Sequence, residues 1–229
     1  MLALIMWGLI DGKANMNDTA NKQIECLVLG IGNILWADEG FGVRAAERLN
    51  ELYAIQTPGV FVEDGGTLGM YLLEPICQTR RLLILDCCDF HGAPAELKVL
   101  RNGDVKAWSS TKISPHQTGM NDILASAMLL GHEPEEIAVV GVQPKLLDDY
   151  GGSLSEEVKA RLDEAVEMAR GILEQWGYAL RRRNEGEAVP ELSPASCLSI
   201  ETYEATRPDE TVAYRHGDER FLAKVLKKD

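Results

Sequence analysis

The chain has 229 residues, 45% of them apolar, and 36 acidic against 23 basic side chains, a formal charge of −13. That apolar share excludes disorder throughout, and the length suits one domain with extensions rather than two full domains. Residues 1–177 hold 26 of the acids and only 14 of the bases, a surface that repels phosphate backbones and anionic lipid, so neither nucleic-acid binding nor stable membrane association is expected.

Met1–Ile10 is apolar but lacks a positive leading region and is too short to span a bilayer. Residues 1–23 therefore read as an extension, with Met16 an alternative start. Glu25–Leu29 (ECLVL) reads as a buried strand, ending at Gly30-Ile31-Gly32-Asn33. Gly40–Tyr53 follows with Val43, Ala46, Leu49 and Leu52 at helical spacing. Val60–Val62 makes a second strand, closed by Asp64-Gly65-Gly66, and Leu68–Ile76 a second helix. Arg81–Asp86 is the clearest strand, continuously aliphatic as central parallel strands are.

Glu96–Leu100 is short and alternating, between Pro94 and Asn102-Gly103, which predicts an antiparallel edge strand. Met120–Leu130 is a third helix and Ile137–Val142 another buried strand. Ser155–Trp176 closes the domain as one long amphipathic helix, with Ser155 as its cap. Alternation at this spacing predicts an α/β fold: a three-layer, doubly wound, mostly parallel sheet of about five strands. The domain spans residues 24–177. Residues 178–229, with three prolines and few apolar clusters, read as a flexible or partner-dependent tail.

Five cysteines, an odd number without a C-x-x-C pair, argue against a disulfide framework or structural zinc and fit a reducing cytoplasm. Cys87 and Cys88 read as buried small hydrophobes.

Ligands of open α/β sheets sit outside the carboxyl ends of the strands. Asp38 or Glu39 follows the first strand, Asp64 the second, Asp86 ends the third, and His116 lies in a loop leading to the third helix. These residues should converge on one sheet edge. Carboxylates with an imidazole suit a borderline divalent ion such as nickel or zinc, and equally suit metal-free acid–base chemistry. Each also has a local role open to it: a loop cap for Asp86, a helix-dipole partner for Glu39, a turn former for Asp64, a loop hydrogen-bonder for His116. His91, His132 and His216 have no recognisable acidic partner and read as surface residues. A dinucleotide fingerprint fails because Leu35 stands where its third glycine belongs. No P-loop, H-E-x-x-H motif or nucleophile elbow is present.

The stretch Leu27–Gly42 (LVLGIGNILWADEGFG) closely resembles the opening of the [NiFe]-hydrogenase maturation endopeptidases. Asp64-Gly65-Gly66-Thr67 with Gly69, Asp86 after its strand, Lys112-Ile113-Ser114-Pro115-His116-Gln117 and Val140-Gly141-Val142-Gln143-Pro144 agree in order and spacing. The resemblance covers residues 24–177, and Trp36–Gly42 looks most like the enzymes that serve uptake hydrogenases. It implies an endopeptidase that removes the C-terminal extension of a [NiFe]-hydrogenase large-subunit precursor after nickel insertion. Nickel would be supplied by that precursor, with no organic cofactor. The family's metal-contacting trio falls on Glu39, Asp86 and His116, and Asp38 and Asp64 match further acidic positions. A non-enzymatic metallochaperone for the large subunit, or another hydrolase on this fold, are the alternatives.

Overall fold

The computed structural model describes residues 22–105, 115–192 and 198–207, with 115–118 as backbone alone. Residues 1–21 of the expected extension 1–23, the Lys112–Ser114 part of the histidine motif, Cys197 and the last residues from 208 lie outside the described residues. Strands β1 (Ile24–Ile31), β3 (Val60–Gly66), β4 (Thr79–Cys87) and β6 (Glu136–Val142) run parallel, and β5 (Leu97–Arg101) pairs antiparallel with β6. The order β3-β1-β4-β6-β5 is the doubly wound sheet the alternation predicts.

Continuous aliphatic runs form β1, β4 and β6 because both faces of these strands are covered. On one face, Val28, Leu83, Leu85 and Val140 pack under helices α1 (Phe41–Leu52) and α5 (Leu162–Gln175). On the other, Leu27, Leu29, Ile84 and Val139 meet α2 (Leu73–Cys77) and α3 (Pro115–Leu129). Among the described residues no helix is long and apolar enough to cross a membrane.

Three expectations change. The strand at Val60 runs on through Asp64-Gly65-Gly66, with Gly30 opposite Asp64, so Asp64 lies within an edge strand rather than in a turn. The closing helix is broken into α4 (Glu156–Lys159) and α5. A tightened i→i+3 hydrogen bond from Arg161 N–H to the Val158 carbonyl resets the helix between them. The apolar stripe continues across the break, so periodicity alone does not reveal it.

The third change concerns residues 178–229, whose described part is built into the domain. Tyr178 is buried and donates to the Glu25 carbonyl at 2.8 Å. Strand β7 (Leu180–Arg182) pairs with β2 (Tyr53–Ile55) in a second, two-stranded sheet. Helix α6 (Ile200–Ala205) is tied down by Lys159–Glu204 and, just beyond it, Arg207–Asp149, both at 2.7 Å. The buried Arg44 donates to the Leu198 carbonyl at 2.6 Å. Isolated apolar residues such as Leu180, Leu192 and Ile200 land on a core that already exists, and so need no cluster of their own.

One glycine sets how closely α1 lies on the sheet. A Cβ on Gly42 would stand 2.1 Å from the Leu85 carbonyl oxygen and 2.3 Å from that of Ile31. Both are backbone atoms, which cannot rotate away. Gly42→Ala is expected to cost about 3 kcal/mol through overpacking, lowering the thermal midpoint by roughly 6–12 °C. Circular-dichroism melting checks this, and an unchanged midpoint would refute the close approach.

Candidate functional site

The carboxyl ends of β1, β3, β4 and β6 share one edge, and the acids sit there. After β1, residues 32–36 lead into a single 3-10 turn, Ala37–Gly40. Gly32 has a φ of +133°, and a Cβ there would fall 1.8 Å from the Glu39 carbonyl oxygen. The loop can therefore fold back tightly enough to place Asp38 and Glu39 beside the sheet only because position 32 has no side chain.

Asp38 and Glu39 divide the labour. Asp38 is fully buried, and its carboxylate accepts from the N–H groups of Lys145 (2.9 Å), Leu146 (2.8 Å) and Ser155 (2.7 Å), and from the Ser155 hydroxyl (3.0 Å). It fastens the loop after β1 to the loop after β6. Ser155, expected to cap a helix, makes no side-chain cap and spends its hydroxyl on Asp38 instead. Backbone bonds laminate the same two loops: Ala37 N–H to Gly152, Asp38 N–H to Leu146 and Gly151 N–H to Leu35. Trp36 meets Tyr150 edge-on, ring centroids 5.2 Å apart.

Glu39 is left half-buried, with its charge acting on Asp86. Asp86 is 4% exposed. Burial pushes its carboxyl up to about 8, and the negative Glu39 adds to the rise. A Cys87 N–H donated at 2.7 Å and a bond with the Cys88 side chain act the other way without overcoming burial. Asp86 is thus protonated at neutral pH while no cation is near. Burial also pushes the Cys87 and Cys88 thiols far above their ordinary range, with Asp86 adding to both. Neither is a thiolate, which disposes of a cysteine nucleophile at this edge.

Asp64 is a different case. Its Oδ1 is buried without a hydrogen-bond partner, and burial raises its pKa against the pull of the Gly66 N–H and the more distant Arg44. His116 lies in the first turn of α3, four residues before Met120; its side chain is outside the described residues. The structure thus sets Glu39 and Asp86 near enough for the charge of one to act on the other, gives Asp38 a structural role, and leaves Asp64 on β3, with β1 between it and the strand of Asp86. Among the described residues no three His, Cys, Asp or Glu side chains stand together as a metal cage. His132 is exposed as expected. His91 is exposed too, but it does have an acidic neighbour in Asp89, at 3.5 Å.

Sequence reasoning passed over Gln143. Buried just past β6, it accepts at Oε1 from the N–H groups of Phe90 (2.7 Å) and Gly92 (3.2 Å) and donates from Nε2 to Asp89 (3.0 Å). It shapes the loop that leaves Asp86. The strand-end rule that flagged the acids applies equally to this amide.

A family model described as hydrogenase maturation protease matches residues 43–172. The hydrogenase expression/formation protein HupM of Azotobacter chroococcum mcd 1 is 48% identical over 204 residues, covering 89% of this chain and 96% of that protein. The hydrogenase 2 maturation protease of Escherichia coli K12 is 39% identical over 165 residues, covering 72% and 94%. Among solved structures, the hydrogenase maturating endopeptidase HybD from E. coli superposes with a TM-score of 0.66 at 36% identity, covering 70% of this chain and 98% of that one.

The buried Asp86 makes a pH prediction. Its folded pKa lies near 8 and its unfolded one near ~3.9. Across that window the native state holds more protons than the unfolded one, so stability falls as pH rises. Asp86→Asn lacks this loss. Near pH 4.5 the two proteins should melt alike, and by pH 8.5 the variant should melt higher by roughly 5 °C or more. Asp64 titrates in the same sense in both proteins and cancels. Parallel melting profiles would contradict a buried, proton-holding Asp86.

Proposed function

The chain belongs to the hydrogenase maturation protease family and is a peptidase, and from that premise we propose that it removes the C-terminal extension of a [NiFe]-hydrogenase large-subunit precursor once nickel is in place. The observation that carries this reading is the Glu39–Asp86 pair at the carboxyl edge of the sheet, one carboxyl buried and protonated beside a second. Nickel arrives as part of the substrate, held by the precursor's thiolates. Such a cation reverses the repulsion that Glu39 imposes on Asp86 and favours the ionised carboxylate. Glu39 and His116 orient the precursor as oxygen and nitrogen donors, a set that suits a borderline ion. Asp86 serves as a further donor, or takes the proton from the water that attacks the scissile carbonyl, in the manner of an aspartyl protease.

Specificity for loaded precursor follows from the same electrostatics. Without nickel, nothing offsets the cost of ionising the buried Asp86 beside Glu39, so an empty precursor gains little by docking. The net charge of −13 suits a cytoplasmic enzyme that works on a metal-bearing protein.

Mass spectrometry of nickel-loaded precursor incubated with the enzyme tests this reading. Loss of the C-terminal peptide is expected with wild type. Glu39→Ala, Asp86→Ala and His116→Ala should each cut at least ~100-fold more slowly. Nickel-free precursor should stay intact. Full-speed trimming by any one variant removes that residue from the site, and equal trimming of nickel-free precursor ends the gating account.

A further inference from the structure

One apolar pocket adjoins the carboxyl pair and has no part in the chemistry described so far. It has a volume of about 90 Å³ and is lined by Ile31, Gly66, Thr67, Leu72, Met120 and Ile123. Its position follows from the sheet. β1 and β4 pair Leu29 with Ile84 and, last, Gly30 with Leu85, and the carbonyls of Ile31 and Leu85 both meet Gly42, which sets Ile31 at the strand end near Asp86. Alternation along the strands keeps Ile31 and Asp86 on the face of Leu29 and Ile84, the face that α2 and α3 cover. Gly66 reaches the other acid, because its carbonyl accepts from Gly32 N–H at 3.0 Å and Gly32 lies against the Glu39 backbone.

The lining decides what the pocket can hold. Among the described residues no ionisable side chain lines it, and the lining they supply is apolar but for Thr67, which favours an apolar group. An apolar cavity of ~150 Å³ accommodates benzene; one of about 90 Å³ suits a branched aliphatic group and is too small for an aromatic ring. The mouth is marked by exposed Thr67, and Leu68, Met70 and Tyr71 continue an exposed apolar rim outward from it.

Resting on the function proposed above, we infer that this pocket selects the substrate by receiving a branched aliphatic side chain from a precursor residue that flanks the scissile bond. Ile31, Leu72, Met120 and Ile123 form its walls, and Met120 sets its depth from α3. Burying such a side chain beside Asp86 also displaces water from the edge where the bond is cut.

The test is a cleavage series on nickel-loaded precursor, with the residue on each side of the scissile bond changed in turn to alanine, valine, leucine, phenylalanine or aspartate. At one of the two positions wild type should favour valine or leucine over phenylalanine and aspartate by ~10-fold or more in kcat/KM, the scale of a mismatch in an apolar pocket. Met120→Ala deepens the pocket and should shift preference toward phenylalanine by about 10-fold, whereas Met120→Phe fills it and should shift preference toward alanine. Thr67→Leu, at the exposed mouth, provides a variant outside the core, and it should narrow preference in the same direction as Met120→Phe. If wild type cleaves but its preferences at both positions are the same in every variant, the pocket assignment is overturned while the proposed function stands. If wild type does not cleave the loaded precursor at all, the function itself is wrong and the pocket assignment falls with it.

Discussion

The site depends on how closely the first helix can lie against the sheet. Two carbonyl oxygens, of Ile31 and Leu85, project at the point where α1 begins, and any side chain at position 42 would collide with both. Gly32 gives the same freedom one turn earlier, where the returning loop brings the Glu39 backbone against it. A helix seated farther out would carry Glu39 away from Asp86. The proximity of the two acids is therefore a consequence of backbone packing, and the charge of Glu39 adds to the rise that keeps the proton on Asp86.

Asp38 holds the loop that carries Glu39 in place. Three backbone N–H groups and one hydroxyl converge on its carboxylate, and bonds to an ionised acceptor are stronger than neutral ones. They join the loops after β1 and β6, and the C-terminal segment braces the second of these from outside through Asp149 and Lys159. Neighbouring acids at positions 38 and 39 thus serve opposite ends. Asp38 is saturated with donors and structural. Glu39 is half-buried, and at Asp86 burial, more than partnership, governs the proton. Under the function proposed above, a site so arranged is held ready for a cation that the substrate brings.

Much of this was legible in the chain. Aliphatic runs in β1, β4 and β6 announce a covered parallel sheet, and the alternation in β5 announces its antiparallel edge. The strand-end rule picked out Glu39 and Asp86, and in the structure the charge of Glu39 reaches Asp86. What stayed hidden is tertiary. Nothing in the adjacency of Asp38 and Glu39 says which one faces the donors of a loop more than a hundred residues away. Ser155 has the form of a helix cap, yet its hydroxyl finds a stronger acceptor in Asp38. The β2–β7 pair involves only three residues on each side, too few to show a period. Asp64 before two glycines looks like a turn, but β1 supplies a partner strand that draws it into the sheet.

The central claim is that Glu39 and Asp86 meet the nickel of the incoming precursor. Nickel-edge X-ray absorption on loaded precursor, frozen rapidly after mixing with enzyme, reads the metal's neighbours directly. With wild type, oxygen ligands should join the thiolate shell on mixing, and with the Glu39→Gln, Asp86→Asn double variant the spectrum should remain that of free precursor. An unchanged thiolate shell on mixing with wild type, under conditions where the two proteins are bound, would contradict the account.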